Sequence, residues 1–277
     1  MLDSFNYRQD LVQTELRHAT EALGEALLEH RLARLSAADG VVVPHDTARF
    51  LNWAEGPEGP AARAGLWFNP PVPVEYAQDA VDVLLVNERI VEAPYVFGAL
   101  ESLRRPARVL DVGGSESTVA LSLASLGHHV SVVDPREYRL THPLLRHYPV
   151  PLDELPADLR FDAAVALSSI EHFGLGGYGQ PVRAEVRLDR AALANIHQRL
   201  EPDGLLVLTV PCAQTSTRDD FQRMYSFDEL SEMLGAWRTM DLSVAWQQDL
   251  RTWIRGTPAE PLGEVGVALI TARKAEA

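Results

Sequence analysis

VLDVGGSEST, residues 109 to 118, carries a short apolar run into two adjacent glycines and then into a helix-forming stretch. Gly113 and Gly114 permit a tight strand-to-helix turn whose backbone N–H groups stay open to a ligand, and the helix N-terminus that follows favours a carboxylate or phosphate there. The turn therefore predicts a site for a nucleotide-type cofactor. The dinucleotide fingerprint would place glycine at 113, 115 and 118, whereas the chain has Gly113, Ser115 and Thr118, so a nicotinamide site is poorly supported.

On the C-terminal side, short β-branched runs alternate with helical stretches. The pattern predicts strands at 108–112, 130–134, 161–167, 205–210, 242–246 and 265–271, with helices at 118–126, 189–200 and 226–234. Such alternation predicts an α/β fold with a largely parallel sheet and helices on both faces. On the N-terminal side, 78–103 reads as a helix and 54–74, rich in proline and glycine, as a loop. Residues 10–35 read as an amphipathic helix, with Leu16, Leu23, Leu27 and Leu35 on one face. That helix either packs on its own domain or pairs with a second copy to form a homodimer; His30, where a leucine is due, favours the first. The division drawn from these features is a helical cap and loop over 1–84 and an α/β domain over 85–277.

Two further stretches point at the same end of the sheet. The strand in HHVSVVDPREY ends in Asp134, placed at a strand tip to accept both hydroxyls of a ribose; the alternative role is a helix cap. FDAAVALSSIEHFGLGGYG, residues 161 to 179, runs from a strand into a glycine-rich loop that overhangs the ligand crevice of an open α/β sheet.

Composition narrows the partners. The chain of 277 residues carries 39 acidic and 25 basic side chains, a formal charge of −14, which argues against nucleic acid or an anionic membrane as partner. Lys274 is its only lysine, so the basic set is arginine. A lone cysteine, Cys212, makes no intramolecular disulfide, and neither a signal-peptide core nor a membrane-length apolar run is legible, so a cytoplasmic protein is expected. The nine histidines and one cysteine show no zinc spacing, so no metal is expected.

Asp111 with its Gly113-Gly114 turn, Asp134, FDAAVALSSIEH, LEPDGLLVLTVP and YSFDEL, in that order, resemble the successive motifs of class I S-adenosylmethionine-dependent methyltransferases across residues 85 to 273. NERIVEAPYVF, DPREYRLTHP and SSIEHFGLGGYG resemble a branch associated with polysaccharide and secondary-metabolite biosynthesis. The resemblance implies a Rossmann-like, seven-stranded sheet, six strands parallel and the last antiparallel, with S-adenosyl-L-methionine as cofactor. It implies that Asp111, Gly113, Gly114 and Ser115 hold the methionine end and Asp134 the ribose. Pro135 and Arg136 would flank the adenine, with Ser168 and Glu171 near the sulfonium. Ser115 and Ser117 stand where the family commonly has glycines, and Pro151-Leu152 near where many relatives have an acid.

A sulfonium methyl is already electrophilic, so the protein chiefly aligns the nucleophile and excludes water. For a hydroxyl acceptor a general base helps, and His172, just beyond the strand in FDAAVALSSIEH, is the first candidate, ahead of His142 and His147. His128 and His129 are expected at the surface. The segment 174–190 reads as a flap, and Tyr178, Arg183, Arg223 and Tyr225 are candidate contacts for a small-molecule acceptor. The leading expectation is O-methylation of a sugar-containing or secondary metabolite. A nicotinamide-dependent oxidoreductase and a non-catalytic, methyltransferase-like partner protein are the alternatives.

Overall fold

The computed structural model describes residues 45–56, 59, 62, 68–77, 80–83, 85–176, 178, 182 and 187–275. The amphipathic stretch 10–35 and Arg183 lie outside them. The chain divides into two compact units, Met1–Val86 and Asn87–Ala277.

In the first unit the helix His45–Glu55 is followed by a small antiparallel hairpin, β1 (Val74–Tyr76) with β2 (Val81–Val83). Asn52 ties helix to hairpin: its Oδ1 accepts from the Tyr76 N–H at 2.7 Å and its Nδ2 donates to the Tyr76 carbonyl at 3.0 Å. The helix expected over 78–103 is therefore shorter, because Val81–Val83 pairs as a strand and helix begins only at Arg89, running to Leu100.

The second unit is built on one eight-stranded sheet. Its strands are β3 (Arg108–Val112), β4 (His129–Val133), β5 (Leu145–Tyr148), β6 (Phe161–Leu167), β7 (Leu200–Ala213), β10 (Trp237–Gln247), β11 (Trp253–Gly256) and β12 (Val265–Lys274). A two-residue hairpin, β8 (Thr217–Arg218) with β9 (Arg223–Met224), lies beside it. The sheet order is β11-β10-β12-β7-β6-β3-β4-β5. β5, β4, β3, β6 and β7 pair in parallel, while β12 inserts antiparallel to both β7 and β10. That leaves the six parallel strands and single antiparallel partner that the motifs implied, with β11 added antiparallel on the β10 edge. Sequence reading missed β5 and β11, both short edge strands with little apolar run.

The alternation along the strands sorts the two faces. Leu206, Leu208 and Val210 of β7, and Ala268 and Ile270 of β12, face a core shared with Ala192, Leu193 and Ile196 of the helix Leu188–Arg199 and Leu230 of the helix Phe227–Met233. Val267 and Leu269 point the other way, where Val91 and Tyr95 of the helix Arg89–Leu100 pack. Thr209 and Thr271 share that second face by the same alternation, and both hydroxyls bond that helix: Thr209 donates to Glu92 at 2.7 Å and Thr271 shares a hydrogen bond with the Tyr95 hydroxyl at 2.7 Å.

The topology locates the site. From β3 the chain steps outward to β4 and β5, then returns to lay β6 on the opposite side of β3. Where strand order reverses in this way, the connections leaving β3 and β6 diverge and open a crevice beyond the carboxyl ends of the strands.

Candidate active site

A cavity of about 510 Å³ occupies that crevice, within the range of small-molecule sites. Of the residues singled out in the sequence, Asp111, Gly113, Gly114, Asp134, Pro135, Arg136, Ser168, His172 and Tyr178 line it. Ser115, Glu171, Arg223 and Tyr225 do not.

The turn after β3 needs its glycines. Gly113 has φ +74°, and a Cβ there would sit 2.6 Å from the Cβ of Ser169, while a Cβ on Gly114 would fall 2.5 Å from Asp111 Oδ2. The chain then makes one turn of 3-10 helix, Gly114–Glu116, and Ser117 accepts the Val119 N–H at 3.0 Å. Ser117 stands just before the Thr118 cap of the helix Val119–Ser125, and its hydroxyl satisfies the first N–H of that helix, a use for serine at that position. Asp111, almost fully buried with Oδ2 unpartnered, has its pKa raised to about 7, first by burial and then by the charge of Asp134. Ser115 contributes its backbone N–H to Asp134 Oδ2 at 3.1 Å, and its own hydroxyl is buried without a partner.

Asp134 ends the neighbouring strand. Arg136 folds back on it, Nε to Oδ1 at 3.2 Å and Nη2 to Oδ2 at 3.1 Å, and reaches Glu116 with Nη1 at 2.6 Å. The guanidinium lies 4.1 Å from the centre of the Tyr178 ring, a cation–π distance. His147 donates from Nε2 to the Asp134 carbonyl and His142 accepts the Leu144 N–H on Nδ1, so each braces the segment after β4. His129 is exposed as expected, but His128, just before β4, is buried, a correction to its expected surface placement.

The opposite wall begins at Ser168, which has φ +40°, an uncommon conformation for a residue with a side chain. Glu92 holds it there. This fully buried carboxylate accepts hydrogen bonds from the hydroxyls of Ser168 and Thr209 and pairs with Arg89 Nη1 at 2.6 Å. Both Arg89 and Glu92 escaped the sequence reading. The available signal was phase: Glu92, Val96 and Leu100 recur every four residues, which places a carboxylate on the buried stripe of its helix. Arg89, one turn earlier, lines the cavity with its Nε buried and unpartnered.

The kink at Ser168 delivers the turn Ile170–His172. His172 Nδ1 lies 2.7 Å from the Phe221 carbonyl. A carbonyl only accepts, so Nδ1 carries the proton and Nε2 is the bare nitrogen. Burial lowers the His172 pKa, so the ring is neutral near pH 7. His172 packs edge-on against Tyr178 and Phe221, with ring centroids 5.2 and 4.5 Å away. Glu171 is buried with Oε2 unpartnered, and burial raises its pKa well above the usual carboxylate value.

Two expected acceptor contacts are corrected. Tyr225 is fully buried and donates to Asp189 at 3.1 Å, which makes it core. Arg223 is buried beneath the turn, where Nη1 donates to the carbonyls of Glu171 and Phe173 at 3.0 and 2.7 Å. It holds the His172 turn from behind, because those carbonyls are left without a helix to satisfy them. Among the described residues no group of three or more His, Cys, Asp or Glu is arranged to hold a metal ion.

A family model described as a methyltransferase domain matches residues 89–248. The chain belongs to this methyltransferase family. The methyltransferase is similar in fold to the [4+2]-cyclase SpnF (17% identity, 76% of this chain and 86% of that one, TM-score 0.51) and to the MccD protein (12%, 66% and 96%, TM-score 0.50). It also matches the Burkholderia thailandensis 1,6-didemethyltoxoflavin-N1-methyltransferase solved with S-adenosylhomocysteine (22%, 68% and 80%, TM-score 0.49). No curated protein matches it significantly. The residues of this methyltransferase fit S-adenosyl-L-methionine as methyl donor: one cavity is lined by a glycine turn with no room for a Cβ, by the acid Asp111 and by the cation Arg89, the last two each keeping a buried polar atom without a partner.

Proposed function

We propose that the methyltransferase transfers the methyl group of S-adenosyl-L-methionine to a hydroxyl of a small molecule, a sugar-containing or secondary metabolite. When bound, S-adenosyl-L-methionine supplies a methyl group made electrophilic by its sulfonium. The observation that carries the hydroxyl reading is the state of His172, a cavity-lining imidazole kept neutral by burial, whose Nε2, 3.7 Å from Glu171 Oε1, carries no proton. An attacking hydroxyl must lose its proton as the carbon–oxygen bond forms, and an imidazole of this kind takes it. The Phe221 carbonyl stabilises the resulting imidazolium through Nδ1–H.

The remaining residues bind and orient. Asp111 and Arg89 meet the ammonium and carboxylate of the amino-acid end, and Asp134 accepts from the ribose. Glu92 fixes Arg89 on one side and Ser168 on the other, so one buried carboxylate sets the distance between the cofactor wall and the His172 turn. Tyr178 and Phe221 beside His172 present ring faces and edges suited to covering a sugar or ring-bearing acceptor and excluding water. Calorimetric titration with S-adenosylhomocysteine should give saturable binding, and protein that binds neither this product nor its methylated parent sinks the proposal. Incubation with candidate metabolites and mass spectrometry should then find one methyl gained on oxygen; methylation on nitrogen would remove the hydroxyl reading.

A further inference from the structure

The hydrogen-bond capacity of Asp134 is used up. A carboxylate offers about four lone-pair positions. Asp134 Oδ1 accepts the Arg136 backbone N–H at 2.9 Å and Arg136 Nε at 3.2 Å, and Oδ2 accepts the Ser115 N–H at 3.1 Å and Arg136 Nη2 at 3.1 Å. The two backbone donors are fixed by the turns that carry them. The two side-chain donors form a fork on the cavity side, where Arg136 is 29% exposed while Asp134 beneath it is 2% exposed. A ribose presents two adjacent hydroxyls, the same number of donors as the fork.

We infer that Arg136 is an internal stand-in for the ribose: its guanidinium and the cofactor's two hydroxyls compete for the same two lone-pair positions of Asp134, and the protein thereby sets its own cofactor affinity. The inference rests on the proposed ribose contact of Asp134 and reverses the sign of the contribution expected from Arg136. Displacement leaves no stranded charge on either side. Arg136 keeps Glu116, bonded through the separate nitrogen Nη1 at 2.6 Å, and the Tyr178 ring face at 4.1 Å, while Asp134 keeps both backbone N–H groups. Because Tyr178 also packs on His172, the exchange reaches the acceptor wall: the arginine that yields to the ribose is the one that backs the ring beside the base.

The test is calorimetric titration of S-adenosylhomocysteine into the full chain, with Arg136→Met, Arg136→Lys, Asp134→Asn and the Asp134→Asn/Arg136→Met double variant. Methionine keeps the apolar stem and removes the fork, so Arg136→Met should bind about tenfold more tightly than wild type, the worth of one charge-assisted pair. Lysine, a single point donor, should fall between the two. Asp134→Asn should bind far more weakly, and Arg136→Met should bring no gain on that background, since nothing is left to compete for. Equal or weaker binding by Arg136→Met, while Asp134→Asn still loses affinity, overturns the stand-in and leaves the ribose contact in place. A gain that survives in the double variant also overturns it. Unchanged affinity in Asp134→Asn overturns the ribose contact and the inference with it. Thermal unfolding of each variant separates loss of fold from loss of binding.

Discussion

The cavity wall at the ends of β3 and β4 is shaped by backbone, whereas the wall around His172 is assembled from side chains of three separate segments. On the first wall, Gly113 adopts a left-handed conformation against Ser169, and the N–H of Ser115 reaches Asp134. On the second, Glu92 pins Ser168, Arg223 holds the carbonyls behind the turn, and the Phe221 carbonyl fixes the tautomer of His172. The first arrangement depends on the backbone of two short turns, after β3 and after β4, and serves a ligand of constant shape. The second depends on contacts across 49 or more positions of chain, such as Phe221 to His172 and Arg223 to Phe173, and is joined to the first through Glu92 and Tyr178.

The largest effect should come from the side-chain wall. With an acceptor in hand, His172→Ala should cut methyl transfer by about a thousandfold, roughly 4 kcal/mol of transition-state stabilisation, with S-adenosylhomocysteine affinity changed only a few-fold. A parallel loss of affinity would show that the walls are not separable. On the backbone wall, Asp134→Ala should weaken S-adenosylhomocysteine binding by about a hundredfold, roughly 2.7 kcal/mol, measured by calorimetry. Gly113→Ala should lower stability by about 2 kcal/mol in thermal or denaturant unfolding, because φ +74° is strained for alanine and its Cβ meets Ser169. An unchanged midpoint would mean the turn relaxes and the glycine is not required.

The smallest effect expected is on pH. Asp111 is half protonated near pH 7 in the free protein, its carboxylate disfavoured by burial and by Asp134. A cofactor ammonium beside it favours the ionised form, so binding releases a proton and affinity should rise from pH 6 to pH 8 by about tenfold. Calorimetry in buffers of differing ionisation heat counts that proton directly. Asp111→Asn should bind without the pH dependence.

Those two walls were unequally legible in the sequence. VLDVGGSEST and the strand ending in Asp134 could be read because turn, strand tip and helix cap are local: each needs only residue types at short spacing. The parallel sheet followed from alternation alone, and the edge strands β5 and β11 escaped because edge pairing demands little hydrophobicity. Arg223 and Tyr225 were read as acceptor contacts because polar and aromatic residues near a site look alike whether they face ligand or core. Their burial comes from the β8–β9 hairpin folding beneath the His172 turn, which no local spacing records. Glu92 was hidden by the opposite error, since a glutamate in a helix reads as surface.

The sequence by itself determined the α/β sheet, the glycine turn and the acid at the next strand tip, because these are set by backbone sterics and by periodicity within a dozen residues. Only the tertiary structure decided which polar groups are neighbours: Glu92 under Ser168 and Thr209, Arg223 behind the carbonyls of Glu171 and Phe173, the Phe221 carbonyl against His172. Those pairings form between elements far apart along the chain, and protonation states, tautomers and free lone pairs in a buried site follow from such neighbours rather than from residue type.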